Sequence, residues 1–94
     1  MKTLPPNYVA YKRTPVFTHE TVPQALLHDH RTKAGTWGLI HVESGKLQYT
    51  IEGQEVHMLE PNFPGIVEPG RTHFVTPIGD VAFFVEFYRN ETDQ

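Results

Sequence analysis

Eight prolines and seven glycines are spread along a chain of 94 residues. That scatter constrains the fold more than any other feature. Proline lacks a backbone donor and clashes inside a helix, and no long stretch of helical periodicity is free of it. Between the breaks lie short runs rich in Val, Ile, Thr, Tyr and Phe, the pattern of strands joined by turns. A helical turn is allowed near residues 21–26, although Pro23 sits inside it. The expectation is an all-β chain.

The runs fall in order. Residues 7–13 alternate weakly and Pro15 ends them. Residues 25–31 read as a strand, with Leu26, His28 and His30 on one face. A turn at 33–35 leads to a strand over 36–42, where Trp37, Leu39 and His41 share a face. Glu43, Ser44 and Gly45 read as a tight hairpin into 46–52, a half-buried strand with Leu47, Tyr49 and Ile51 on one side. Gly53 and Gln54 turn the chain into 55–59, and 61–64 form a loop. A short strand over 65–68 stops at Pro69-Gly70 and resumes over 73–76. After a turn at 77–80, the run 81–89 is apolar on both faces apart from Glu86, which predicts a central strand. Residues 90–94 read as a polar tail. Many short strands must protect their edges, and closure into a barrel or jelly roll is the usual solution.

Composition narrows the function. A chain of 10.8 kDa has room for one core, so residues 1–94 read as one domain. The net charge of −3 gives no electrostatic reason to bind nucleic acid. The absence of cysteine excludes disulfides, thiolate zinc sites and cysteine nucleophiles. No segment is apolar enough to span a bilayer and no signal peptide is visible, so the cytoplasm is the expected compartment. No glycine-rich phosphate loop opens a helix, and Ser44 sits in a turn rather than a nucleophile elbow.

Six histidines without a cysteine leave metal chemistry as the sharpest candidate. In a strand, His28 and His30 would project on one side about 6.5–7 Å apart, within reach of one ion. His73, after the turn at Pro69-Gly70, is the best partner from another strand. Glu86 interrupts an apolar strand, where a carboxylate is costly unless it is paired or ligating. Glu68 competes for the same place. The expected site is one divalent metal held by His30, His73, His28 and Glu86, with zinc first and iron, nickel or manganese as alternatives. His41 is a candidate pocket residue. Lys33 and Arg71 are candidate anion-attracting cations, and Trp37, Phe74 and Phe84 are candidate walls.

The pattern His28-x-His30, Gly45 and Pro69-Gly70-x-x-His73 resembles the cupins, which implies a small double-stranded β-helix, or jelly-roll, barrel. No glutamate follows the histidine pair where cupins usually carry one. A closer resemblance, over nearly the whole chain, is to the TehB/YeaR-like domain, a cupin-like family associated with tellurite resistance. It rests on Leu4-Pro5, the run 11–15 and Asp29-His30-x-Thr32-Lys33-Ala34-Gly35-Thr36-Trp37-Gly38. It rests also on the run 64–69 followed by His73, and on Phe83-Phe84-Val85-Glu86-Phe87. This resemblance favours His30, His73, Glu68 and Glu86 over His28, and it implies a homodimer. In some members the domain precedes a methyltransferase domain; here it reads as standing alone, so methyl transfer is not expected.

The leading expectation is therefore a stand-alone metal-binding cupin-like protein that takes a small molecule, an oxyanion among the candidates, at its metal. The alternatives are a metal-dependent oxygenase or isomerase and a metal-free interaction module. Neither nucleic acid nor a membrane is an expected partner.

Overall fold

The computed structural model describes residues 1–92, so the last two residues of the expected polar tail lie outside it. The chain is all-β. Its elements are β1 (Tyr8–Arg13), β2 (Phe17–Thr18), a single 3₁₀ turn (Gln24–Leu27), β3 (Trp37–Ile51), β4 (Glu55–Leu59), β5 (Gly65–Val67) and β6 (His73–Asn90). They form one antiparallel sheet in the order β1-β6-β3-β4, with β2 added to β6 and β5 to β3. Among the described residues no helix is long and apolar enough to cross a membrane.

Two long strands replace four expected short ones. β3 runs through the position read as a hairpin, and β6 through the position read as a turn. The register explains why. Val42 pairs with Phe83, Ser44 with Ala82 and Lys46 with Ile78, so both strands carry irregularities at the same level. Gly45, at φ +80°, and Gly79, at φ +69°, supply backbone bends there. Extra residues bend a strand without ending it. A Cβ at Gly45 would lie 2.1 Å from the Asp80 carbonyl oxygen, so the close pass of β6 demands glycine.

The bulge also sets the core. Ile40 and Val42 point inward before it, and Leu47, Tyr49 and Ile51 after it. The five-residue step from Val42 to Leu47 reverses the alternation, and the bulge absorbs that reversal so that both halves of β3 face one interior. Leu59, Val67, Val75, Val81, Phe83 and Val85 complete the cluster. Phe83 and Leu47 are fully buried, each contributing about 1.5–3 kcal/mol of transfer free energy. The central position expected for the last strand is observed: β6 pairs with β1, β2 and β3.

The strand expected over 25–31 does not form. Pro23 opens the 3₁₀ turn, and the Leu26 amide donates to its carbonyl at 3.0 Å. Only His30 joins the sheet, as an isolated bridge to His73. His28 and His30 therefore do not share a strand face.

Candidate functional site

The first residue of β6 and the loop before β3 meet at one point. The His30 amide donates to the His73 carbonyl at 3.0 Å, and the His73 amide returns the bond at 2.8 Å. This pair of bonds sets the rings side by side, centroids 4.2 Å apart. The Tyr49 ring meets His73 edge-on at 5.7 Å, and its hydroxyl donates to the Ile66 carbonyl at 2.8 Å. His73 is buried between its two neighbours.

Backbone carbonyls fix the ring tautomers. His73 Nδ1 lies 3.0 Å from the Arg71 carbonyl, and His30 Nδ1 lies 3.4 Å from the His28 carbonyl. A carbonyl only accepts, so each neutral ring donates through Nδ1–H and keeps Nε2 as an acceptor. Burial holds the His73 imidazole below the ordinary histidine value, and the charge of His30 acts in the same direction; the bond to Arg71 opposes them. His73 is thus a neutral acceptor near neutral pH.

Both imidazoles line a recess of about 60 Å³ whose other walls include Leu26, Ile40, Val67, Val75 and Phe83. That is room for about two water-sized groups. A wider vestibule of about 330 Å³ shares His30, Leu26, Thr32 and Phe87 with it and adds Lys12, Arg31 and Lys33. An apolar recess with convergent acceptors at its rim suits a small molecule that carries one polar group.

Of the four residues expected to form a metal site, the structure joins only His30 and His73. His28 is exposed beside Asp29 and Phe74. Glu86 lies on the other face of β6 from Val85 and Phe87, which line the recess. Its carboxylate accepts the Tyr88 hydroxyl at 2.8 Å and lies 3.2 Å from His41 Nε2. The Tyr88 hydroxyl and then the imidazole hold Glu86 below the usual carboxylate range, while burial opposes them. Its apolar strand is tolerable because the carboxylate is paired, the other outcome that sequence reasoning allows.

Glu68 pairs with Arg71 at 3.3 Å and with Lys2 at 3.7 Å. Arg71 also reaches Glu52, so it is neutralised rather than free to attract a ligand. His41 stacks on Phe84 at 4.7 Å, away from the recess. Phe84 lies under the Arg13 guanidinium and Trp37 packs edge-on to Tyr8. Phe74 lines two other shallow clefts, so none of the three aromatics walls the recess. Sequence reasoning missed Leu26, Thr32 and Phe87 as lining residues. It also missed the His41–Glu86–Tyr88 cluster, for which the i, i+2 spacing of Glu86 and Tyr88 was the available signal.

Fold and site together define a small all-β domain with a histidine-rimmed apolar cleft. The sequence model of the TehB-like domain matches residues 12–85, and the chain belongs to that family. It is 33% identical over 79 residues to a protein of Haemophilus influenzae strain Rd named as a probable S-adenosyl-L-methionine-dependent methyltransferase TehB. The TehB protein of strain 10810, with the same name, is 32% identical. Each match takes in 77% of this chain but 27% of the relative's length. The crystal structure of TehB from Haemophilus influenzae superposes with a TM-score of 0.82 at 32% identity, over 90% of this chain and 32% of that one. A crystal structure of an Escherichia coli K12 protein superposes at 0.85 over 94% of this chain and 96% of that one, and at 21% identity it shows the fold alone.

These findings overturn the expectation of a metal-binding cupin-type protein with zinc or another divalent ion as its cofactor. The relatives are named for S-adenosyl-L-methionine-dependent methyl transfer. Among the described residues, no group of three or more His, Asp or Glu side chains is placed to hold a metal ion. The physical reason lies in the fold: the 3₁₀ turn takes His28 off the strand geometry that sequence spacing assumes, and alternation along β6 turns Glu86 away.

Proposed function

We propose that this chain is a ligand-holding β domain that serves S-adenosylmethionine-dependent methyl transfer, with the methyl donor held outside the residues described here. Two relatives named for that chemistry and a shared family support the link to methyl transfer. The association with tellurite resistance fits the same family.

S-adenosylmethionine does not fit this chain's own cleft. It carries a sulfonium cation and ribose hydroxyls, and ribose diols are typically held by an acidic residue. Among the described residues the linings of recess and vestibule hold no Asp or Glu, and they present Lys12, Arg31 and Lys33. Like charges would repel the sulfonium. The observation that carries the proposal is the His30–His73 pair, whose rings lie 4.2 Å apart and line an apolar recess. They suit a small molecule whose polar end, directly or through a water, offers a hydrogen to Nε2. The same reading places the chain in the cytoplasm, in keeping with relatives named for S-adenosylmethionine chemistry.

Methyl NMR tests the assignment. Adding 1-propanol is expected to shift the methyl groups of Ile40, Val67, Val75 and Val85 saturably, while S-adenosylmethionine leaves them unmoved. Unmoved methyls with 1-propanol, or saturable shifts with S-adenosylmethionine, would overturn it.

A further inference from the structure

The apolar recess and the basic vestibule adjoin. They share Leu26, His30, Thr32 and Phe87. The inner half is lined mainly by branched aliphatic and aromatic side chains, which neither solvate a charge nor pair with one. The outer half presents Lys12, Arg31 and Lys33, all exposed. Among the described residues none of the three enters an ion pair, whereas Lys2 and Arg71 do. Among the described residues no carboxylate lines either half, although the chain carries eleven acidic residues against eight basic ones. Three cations of one sign at a mouth with low-dielectric walls attract an anion and repel a cation.

We infer that the ligand of this cleft is a short-chain organic anion. Its carboxylate sits among Lys12, Arg31 and Lys33, and an apolar tail of about two or three heavy atoms enters the recess past His30, the length that room for about two water-sized groups allows. This rests on the reading of the cleft as a ligand site and adds the charge and shape of the ligand. An inorganic anion would satisfy the vestibule but leave the recess unfilled. A neutral alcohol would fill the recess but leave the cations unanswered. The amphiphilic anion answers both.

The experiment compares butyrate, 1-butanol and inorganic phosphate by the shifts of the recess methyl groups and of the Lys12, Arg31 and Lys33 side-chain signals. Butyrate is expected to bind at least tenfold more tightly than 1-butanol and than phosphate. Its affinity should fall several-fold between low and high salt, as expected for screened charges. A Lys12→Gln/Arg31→Gln/Lys33→Gln variant, which changes only exposed side chains, should bring butyrate down to the affinity of 1-butanol and leave 1-butanol unchanged. Equal affinity for butyrate and 1-butanol in the wild-type protein would overturn the anionic head while leaving the cleft in place. Equal affinity for butyrate and phosphate would overturn the apolar tail. If neither organic probe moves the recess methyls, the ligand site itself is wrong.

Discussion

His30 and His73 are joined twice, by a reciprocal pair of backbone hydrogen bonds of 3.0 and 2.8 Å and by rings 4.2 Å apart. The bonds fasten the loop before β3 onto the first residue of β6. The rings close one side of the apolar recess. One contact therefore serves both folding and the site.

Acid should loosen this contact. Burial lowers the His73 pKa in the folded state, while the unfolded chain titrates near about 6.5. Between the two values the unfolded chain binds more protons, so stability rises with pH across that window. His73 thus costs nothing above the unfolded value, and stability is lost as the pH falls through it toward the folded value. The melting temperature is expected to drop on acidification from about pH 7 to about pH 5. His73→Gln should flatten that part of the profile. Glu55 and Glu86 are held below the carboxylate range, so their losses come at lower pH. If His73→Gln does not fold, the wild-type ring titration is the readout, and a His73 midpoint at or above the unfolded value contradicts the prediction.

The Glu86 cluster should prove structural and independent of the cleft. Its carboxylate accepts from Tyr88 and pairs with His41, and burial with the nearby carboxylate pushes the Tyr88 hydroxyl up to about 12. Tyr88→Phe and Glu86→Gln are each expected to lower stability by about 1 kcal/mol in urea titrations. The double variant should lose less than the sum, because Tyr88→Phe removes the bond that Glu86→Gln leaves without its charge. Ring signals of His30 and His73 should stay put in Glu86→Gln; movement would mean that Glu86 communicates with the cleft after all.

Gly45 and Gly53 share a positive φ but not a neighbourhood. Gly45→Ala drives a Cβ to 2.1 Å from the Asp80 carbonyl oxygen, whereas Gly53→Ala meets nothing within 4 Å. Gly53→Ala is expected to cost about 1 kcal/mol, the left-handed penalty alone. Gly45→Ala should exceed about 3 kcal/mol, because backbone must move as well. Similar midpoints in a denaturant series would show that β3 and β6 do not pass as closely as described.

Much of the fold was legible because alternation reports burial directly. Leu47, Tyr49 and Ile51 share a face as their spacing implies, and β6 is central as its two apolar faces imply. The bends were not legible. Ser44-Gly45 and Pro77-Ile78-Gly79 carry turn residues, and sequence alone does not separate a turn from a bulge in a continuing strand. At the site, the chain offered His30 and His73 as ligands of one metal ion; the structure brings the two rings together, but among the described residues no metal-holding group surrounds them. The placement of His28 was not, because it depends on a 3₁₀ turn set by Pro23 and by tertiary contact. Glu86 was ambiguous for a stated reason: a carboxylate in an apolar strand signals a partner without naming it.

The proposal turns on His30 and His73, each with Nδ1 directed at a backbone carbonyl, meeting a small molecule in the recess through Nε2. A long-range proton–nitrogen spectrum of the two imidazoles at pH 7.5, with and without 1-propanol, tests it most directly. Both rings are expected to carry a proton on Nδ1, and both Nε2 signals to move saturably as the alcohol is added. Nε2-protonated rings, or Nε2 signals indifferent to the alcohol, would contradict it.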